Sequence, residues 1–149
     1  MLIYIGSDHR GFQLKENLKG FLKDLGYEVS DLGAKEFIQD DDYPDYAKEV
    51  AHKVNLDPTL SRGIVICGSG VGADIVANRF QRVRCALATT PDQAMASRND
   101  DDTNVLALAA DFTDWETAKK IVSVWLQTPF SNDPRHKRRI EKINQLQNM

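Results

Sequence analysis

Three stretches of the chain gather the residue types that do chemistry. In Arg62-Gly-Ile-Val-Ile-Cys-Gly-Ser-Gly-Val-Gly-Ala73 a thiol and a hydroxyl stand among three glycines. Cys67 is a candidate base, with Ser69 beside it, and Gly68, Gly70 and Gly72 let the backbone turn tightly and approach a ligand. A helix following from Ala73 to about Phe80 would place the loop amides at its N-terminus. That arrangement suits an anion or a developing oxyanion and favours a thiolate at Cys67. The second stretch is Asp8-His9, ending the first strand, a pair able to orient hydroxyls or bind an anion. The third is the basic cluster Arg135-His-Lys-Arg-Arg139 at a helix start. Cations there oppose the helix dipole, and an anion would relieve them, with Arg135 and Arg139 one turn apart on one face. Two acidic runs, Asp40–Asp42 and Asp100–Asp102, crowd carboxylates that raise one another's pKa.

Several chemistries are excluded by spacing. The glycines read G-x-G-x-G, whereas a dinucleotide fingerprint needs G-x-G-x-x-G, and no Gly-Lys-Ser/Thr follows to make a nucleotide-phosphate loop. Asp8, His9 and Cys67 invite a metal reading, which is discounted because no further Cys or His has ligand-like spacing and typical zinc sites use three or four ligands. Cys85 lies mid-strand and reads as core.

The elements that must position these groups alternate. Strands are expected at Leu2–Gly6, Tyr27–Val29, Gly63–Ile66, Val83–Ala88 and Asn104–Leu108, each short and apolar. Leu14, Leu18, Phe21, Leu22 and Leu25 share one helical face, closed by Gly26. Pro44 opens a helix with Tyr46, Ala47, Val50, Ala51 and Val54 on one side. Pro91 starts a helix ending near Ser97. Asp114 caps a helix that buries Trp115, Ala118, Ile121, Val122, Trp125 and Leu126, and a last helix runs from Arg135 to about Gln147. This order implies an α/β fold, a doubly wound five-stranded parallel sheet with helices on both faces and a C-terminal helix. Ligands bind such sheets at the strands' C-terminal ends, where the polar loops Ser7–Gly11, Cys67–Gly72 and Arg98–Thr103 are expected.

A chain of 149 residues makes one domain, residues 1–149. Its net charge of −3 gives no general attraction to nucleic acid or anionic membrane. Neither a signal peptide nor a membrane span is apparent, and two cysteines make no disulfide framework, so the cytoplasm is the expected location.

Taken in order, the motifs resemble the ribose-5-phosphate isomerase type B / galactose-6-phosphate isomerase family. The resemblance rests on Gly6-Ser-Asp-His9 with Gly11, Asp42-Tyr-Pro44, Gly63 to Gly72, Ala77-Asn78, Asp102-Thr-Asn-Val-Leu106 and Arg135-His-x-x-Arg139, and covers essentially the whole chain. It implies a Rossmann-like sheet, a homodimer or tetramer with active sites shared between subunits, and aldose–ketose isomerisation of a sugar phosphate through a cis-enediolate without metal or other cofactor. By resemblance Cys67 is the base that carries the proton between C2 and C1, with Ser69 beside it. The Gly68 to Gly72 amides form the enediolate hole, Asp8 and Tyr43 contact sugar hydroxyls, and His9, Arg135 and Arg139 contact phosphate.

The departures from the family pattern concern the substrate. Some members carry Glu after the glycine loop; here it is Ala73, leaving only the cysteine. The usual Arg-x-His-Asn is Arg98-Asn-Asp-Asp101. Asp100 thus replaces the histidine credited with ring opening; an ionised carboxylate could take the O1 proton but could not protonate the ring oxygen, while Asp101 replaces a substrate-contacting Asn. An Arg often found after the fifth strand is Asp111. Ribose 5-phosphate to ribulose 5-phosphate is the first expectation. The alternatives are an isomerase of a different sugar, a hexose phosphate or an unphosphorylated one, or a catalytically weak sugar-phosphate-binding partner subunit.

Overall fold

A computed structural model describes residues 1–146. The strands β1 (Leu2–Ser7), β2 (Glu28–Asp31), β3 (Ser61–Cys67), β4 (Cys85–Leu87) and β5 (Val105–Ala109) form one sheet ordered β2-β1-β3-β5-β4. All four pairings are parallel. The helices are α1 (Phe12–Asp24), α2 (Tyr43–Leu56), α3 (Val71–Ala77), α4 (Pro91–Asp101), α5 (Trp115–Gln127) and α6 (Pro134–Gln145). The Rossmann-like, doubly wound class inferred from the sequence is the one observed.

Strand alternation divides the core into two layers. Ile64, Ile66, Leu106 and Leu108 face α1, α4 and α5 through Leu18, Leu22, Ala94, Ile121 and Trp125. Val65, Cys67, Val105 and Ala107 face α2 and α3 through Val50, Val54, Ala73 and Ala77. Each fully buried Leu or Ile stabilises the fold by roughly 1.5–3 kcal/mol. Cys67 therefore belongs to the α2/α3 layer, at the last residue of the central strand.

Local signals set the element ends. Gly26 closes α1 at φ +88°, with Tyr27 N–H donating to Leu22 C=O at 3.0 Å and Gly26 N–H to Lys23 C=O at 2.9 Å. The Asp114 carboxylate accepts from Thr117 N–H at 2.8 Å. β4 is shorter than expected, because the Asn104 side chain takes over the backbone ahead of it: its Oδ1 accepts from Arg84 N–H and its Nδ2 donates to Arg82 C=O. α3 begins two residues earlier than expected and stops at Ala77, where Asn78 N–H and Nδ2 both bond to Asp74 C=O.

One expected loop is corrected. Arg98–Asp101 is not loop but the last turn of α4, which ends where Asp102 takes a left-handed conformation at φ +47°. Nor does the segment lie at the strands' C-terminal ends. It precedes β5, and so sits at the N-terminal ends, where Arg84 donates to Asp101 and Asp102 carbonyls just before β4. α6 keeps Ile140, Ile143 and Leu146 on one side but buries no residue fully. The expected end of that helix at Gln147 falls outside the described residues.

Candidate active site

The C-terminal ends of β1 and β3, together with the start of α2, enclose a cleft of about 290 Å³. Asp8, Arg10, Tyr43, Cys67 and Ser69 line it along with the glycine loop, and Val71 and Ile75 form a half-exposed apolar rim. The sheet register sets this up: Ser7 pairs with Ile66, and Cys67 with Ala109, so the first polar residues after β1 and β3 emerge side by side.

Cys67 is 4% exposed, its thiol shared between the core layer and the cleft. Ser69 is exposed, and its Oγ accepts from Val71 N–H at 3.3 Å. Asp8 is buried; its carboxylate accepts from Gly11 N–H at 3.1 Å and closes a 3-10 turn, His9–Gly11. Burial pushes the Asp8 pKa above the ordinary aspartate range, against the Gly11 hydrogen bond and His9, which act to lower it.

The three loop glycines serve different ends. Gly70 adopts φ +75° and opens α3. Gly68 and Gly72 instead admit side chains. A Cβ on Gly68 would fall 2.2 Å from Arg10 Cζ, and one on Gly72 2.4 Å from Tyr43 Cζ. The sequence assigns these glycines a tight turn and close approach to a ligand; two of them also let cleft-lining side chains lie against the loop.

Two contributors were not foreseen. Asp41, from an acidic run read for its crowded carboxylates and not for a partner, is 7% exposed at its side chain and accepts from both His9 N–H (2.7 Å) and His9 Nδ1 (2.9 Å). The hydrogen bond to Asp41 is the main reason the His9 pKa rises above its ordinary value. Arg10 is the other: its Nη2 donates to Asp111 Oδ2. No local signal marks either pair, since the partners are 32 and 101 residues apart.

Asp100, Asp101, Arg135 and Arg139 are not brought to this cleft. They lie on the last turn of α4 and on α6, beyond the opposite end of the sheet from Cys67. β3 alone, at seven residues, separates those ends by roughly 20 Å. Asp100 Oδ1 stands 3.6 Å from His136 Nε2, whose Nδ1 shares a 2.7 Å hydrogen bond with Ser131 Oγ. Arg135 already has an anion: Asp133, the N-cap of α6, binds its Nη2 at 3.0 Å and is itself held at a pKa of about 2, chiefly by the Arg135 side chain. Arg139 has no hydrogen-bond or ion-pair partner among the described residues. Also among these, no three His, Cys, Asp or Glu side chains cluster so as to hold a metal ion.

A parallel sheet with a thiol, a glycine loop and a buried carboxylate at its C-terminal edge defines a Rossmann-like α/β protein built to bind a small polar molecule there. Residues 3–143 match the ribose/galactose isomerase family, and the chain belongs to that family. It is similar to ribose-5-phosphate isomerase B of Mycolicibacterium paratuberculosis, at 38% identity over 95% of this chain and 88% of that protein. The crystal structure of ribose-5-phosphate isomerase B from Mycoplasma genitalium with bound ribulose 5-phosphate superposes with a TM-score of 0.95, at 39% identity, covering 99% of this chain and 96% of that one. The Clostridium thermocellum ribose-5-phosphate isomerase B structure gives 0.94 at 40% identity, covering 99% and 98%.

Proposed function

We propose that the chain is an aldose–ketose isomerase that converts ribose 5-phosphate to ribulose 5-phosphate through a cis-enediolate. The observation that carries this reading is the cleft itself, where the Cys67 thiol, the Ser69 hydroxyl, the Asp8 carboxyl and the glycine-loop backbone converge. A proton α to a carbonyl is a poor acid, so the reaction needs both a positioned base and donors aimed at the developing oxyanion. The Cys67 thiolate takes the C2 proton, and the C2–H electrons become the C1–C2 double bond while O1 gains the negative charge. The thiol then returns the proton to C1, and the O2 proton moves to O1, a transfer the Ser69 hydroxyl is placed to relay. Asp8 and Tyr43 hold sugar hydroxyls, and His9 faces the phosphate.

Removal of the O1 proton, a further sugar contact and the remaining phosphate contacts call on Asp100, on Asp101 and on Arg135 and Arg139 respectively, which one copy cannot bring to its own cleft. We assign them to a second copy, in a homodimer or tetramer whose sites are shared between subunits. The apolar side of α6 supports this, since Ile143 and Leu146 stay 41% and 62% exposed. No helix among the described residues is long and apolar enough to cross a membrane, and we place the enzyme in the cytoplasm.

The test is an isomerase panel on the purified protein with Cys67→Ala as control. Cysteine-dependent turnover of ribose 5-phosphate is expected. Turnover of only another sugar, such as a hexose phosphate or an unphosphorylated pentose, would show that Asp100 and Asp101 mark a changed specificity. Failure with every sugar by a folded protein would defeat the enzymatic reading.

A further inference from the structure

Arg10 occupies a position in the cleft that its sequence neighbourhood does not announce. It is the middle residue of the 3-10 turn after β1, and its side chain folds back over the glycine loop. A Cβ on Gly68 would meet Arg10 Cζ, Nε and Nη1 at 2.2, 2.3 and 2.6 Å, so the guanidinium lies on the face of that residue. The far end of the guanidinium is anchored by Nη2 donating to Asp111 Oδ2. Asp111 is itself fixed to the same loop: its N–H donates to Gly68 C=O at 3.0 Å, and the preceding Ala110 N–H to Cys67 C=O at 2.9 Å. Arg10 makes no other hydrogen bond among the described residues, leaving its remaining N–H donors for a ligand. Among the described residues it is also the only cationic side chain lining the cleft; the other charged one is Asp8.

A guanidinium held flat at one end and uncommitted at the other matches a phosphate, which it can meet with two parallel N–H donors. We infer that Arg10, oriented by Asp111, is a phosphate-binding residue that this chain supplies to its own cleft beside His9 and sets its preference for phosphorylated sugars. Asp111 is a positioning residue and touches no substrate. The inference rests on the sugar-phosphate reading above. It also accounts for the departure at position 111: the cation expected after the fifth strand has moved to the turn after the first, and an aspartate has taken its former place to hold it.

Calorimetric titration of the full-length protein with inorganic phosphate and with ribose 5-phosphate tests the inference without requiring turnover. Initial rates on phosphorylated and unphosphorylated sugars then divide the effect between KM and kcat. Arg10→Ala is expected to weaken both ligands by about 10- to 100-fold, the loss falling on KM more than on kcat and sparing unphosphorylated sugars. Arg10→Lys should keep part of the affinity, and Asp111→Asn should lose roughly 3- to 10-fold in the same direction. The exchange Arg10→Ala/Asp111→Arg should recover most of what Arg10→Ala loses. Unchanged phosphate binding in Arg10→Ala, or an equal loss for unphosphorylated sugars, would overturn the inference while leaving the isomerase reading intact. A wild-type protein that binds phosphate through Arg10 but turns over no sugar would do the reverse.

Discussion

At the N-terminal end of the sheet, Asp102 accepts from Arg84 at 3.1 Å and from Arg98 at 2.6 Å, Arg84 also bonds the Asp101 and Asp102 carbonyls, and Arg98 bonds the Thr103 carbonyl. At the C-terminal end, among the described residues, Arg10 gives only one nitrogen to Asp111, the His9 ring is bound through Nδ1 alone, and Ser69 Oγ accepts a single bond. The first end contains the larger cavity, about 530 Å³, lined by Arg62, Arg82, Arg84 and Asp102. Its size is a poor guide to function, because Arg62, Arg82 and Arg84 all donate to main-chain carbonyls there and thereby tie together the segments preceding β3, β4 and β5. Charge density alone therefore does not distinguish a structural cluster from a binding cleft; the donors and acceptors left uncommitted do. The site residues expected from the sequence are split between these two ends, and the shared site proposed above draws on both.

The sharpest way to break that division is at the base. Cys67→Ala is expected to lower kcat by about 10³-fold or more while the protein still folds cooperatively, since removing one sulfur from the cleft edge of the α2/α3 layer costs far less than the activity lost. A Cys67→Ala protein with near wild-type kcat would remove the C-terminal cleft from the mechanism. The next test concerns the sharing of sites. Cys67→Ala and Arg139→Ala should each be impaired alone. Unfolded and refolded together as equal mixtures, they should recover about a quarter of wild-type activity, because half of the dimers are mixed and each mixed dimer has one intact site. No recovery, from chains shown to mix, would confine each site to one copy and leave Arg139 without a role.

Much of the first end's partner was legible because it is local. The alternation of strands and helices, the Gly26 and Asp114 caps and the Cys67 glycine loop are all written within a few consecutive residues, where propensity and packing agree. Arg98–Asp101 was misread because the charged run shows no apolar period. Its helix is held by Arg98, buried and bonded to Asp102 and Thr103, an arrangement visible only in three dimensions. The end of the sheet on which that run falls could have been known: a segment leading into a parallel strand lies at its N-terminal end. Arg10 on Gly68 and Asp41 on His9 were not legible, because each joins loops far apart in sequence.

Smaller effects should separate orientation from chemistry at the C-terminal end. Asp41→Asn removes the main cause of the raised His9 pKa. If protonated His9 helps bind phosphate, KM rises as pH climbs through that pKa, and the substitution should move the rise to lower pH while changing kcat by less than about 3-fold. A pH profile of KM identical to wild type would remove His9 from phosphate binding.

The smallest effect is on stability and has the opposite sign from the effect on function. Burial raises the Asp8 pKa in the folded state, so folding favours its protonated form. The associated stabilisation is fully present below the unfolded value of about 3.9 and is lost as pH rises through the folded value, which leaves a buried carboxylate penalised at neutral pH. Asp8→Asn keeps an oxygen for the Gly11 N–H and carries no charge. It should therefore melt above wild type at pH 7 to 8, with the gap narrowing as pH falls through the raised folded value and closed below the ordinary aspartate range. Isomerase activity should fall at the same time, because Asp8 would no longer hold a sugar hydroxyl as an ionised acceptor. An Asn variant that melts below wild type at neutral pH would mean that the carboxylate of the Asp8–Gly11 turn is structural first, and that the charge at this end of the sheet is committed to the fold in the same way as Asp102 at the other.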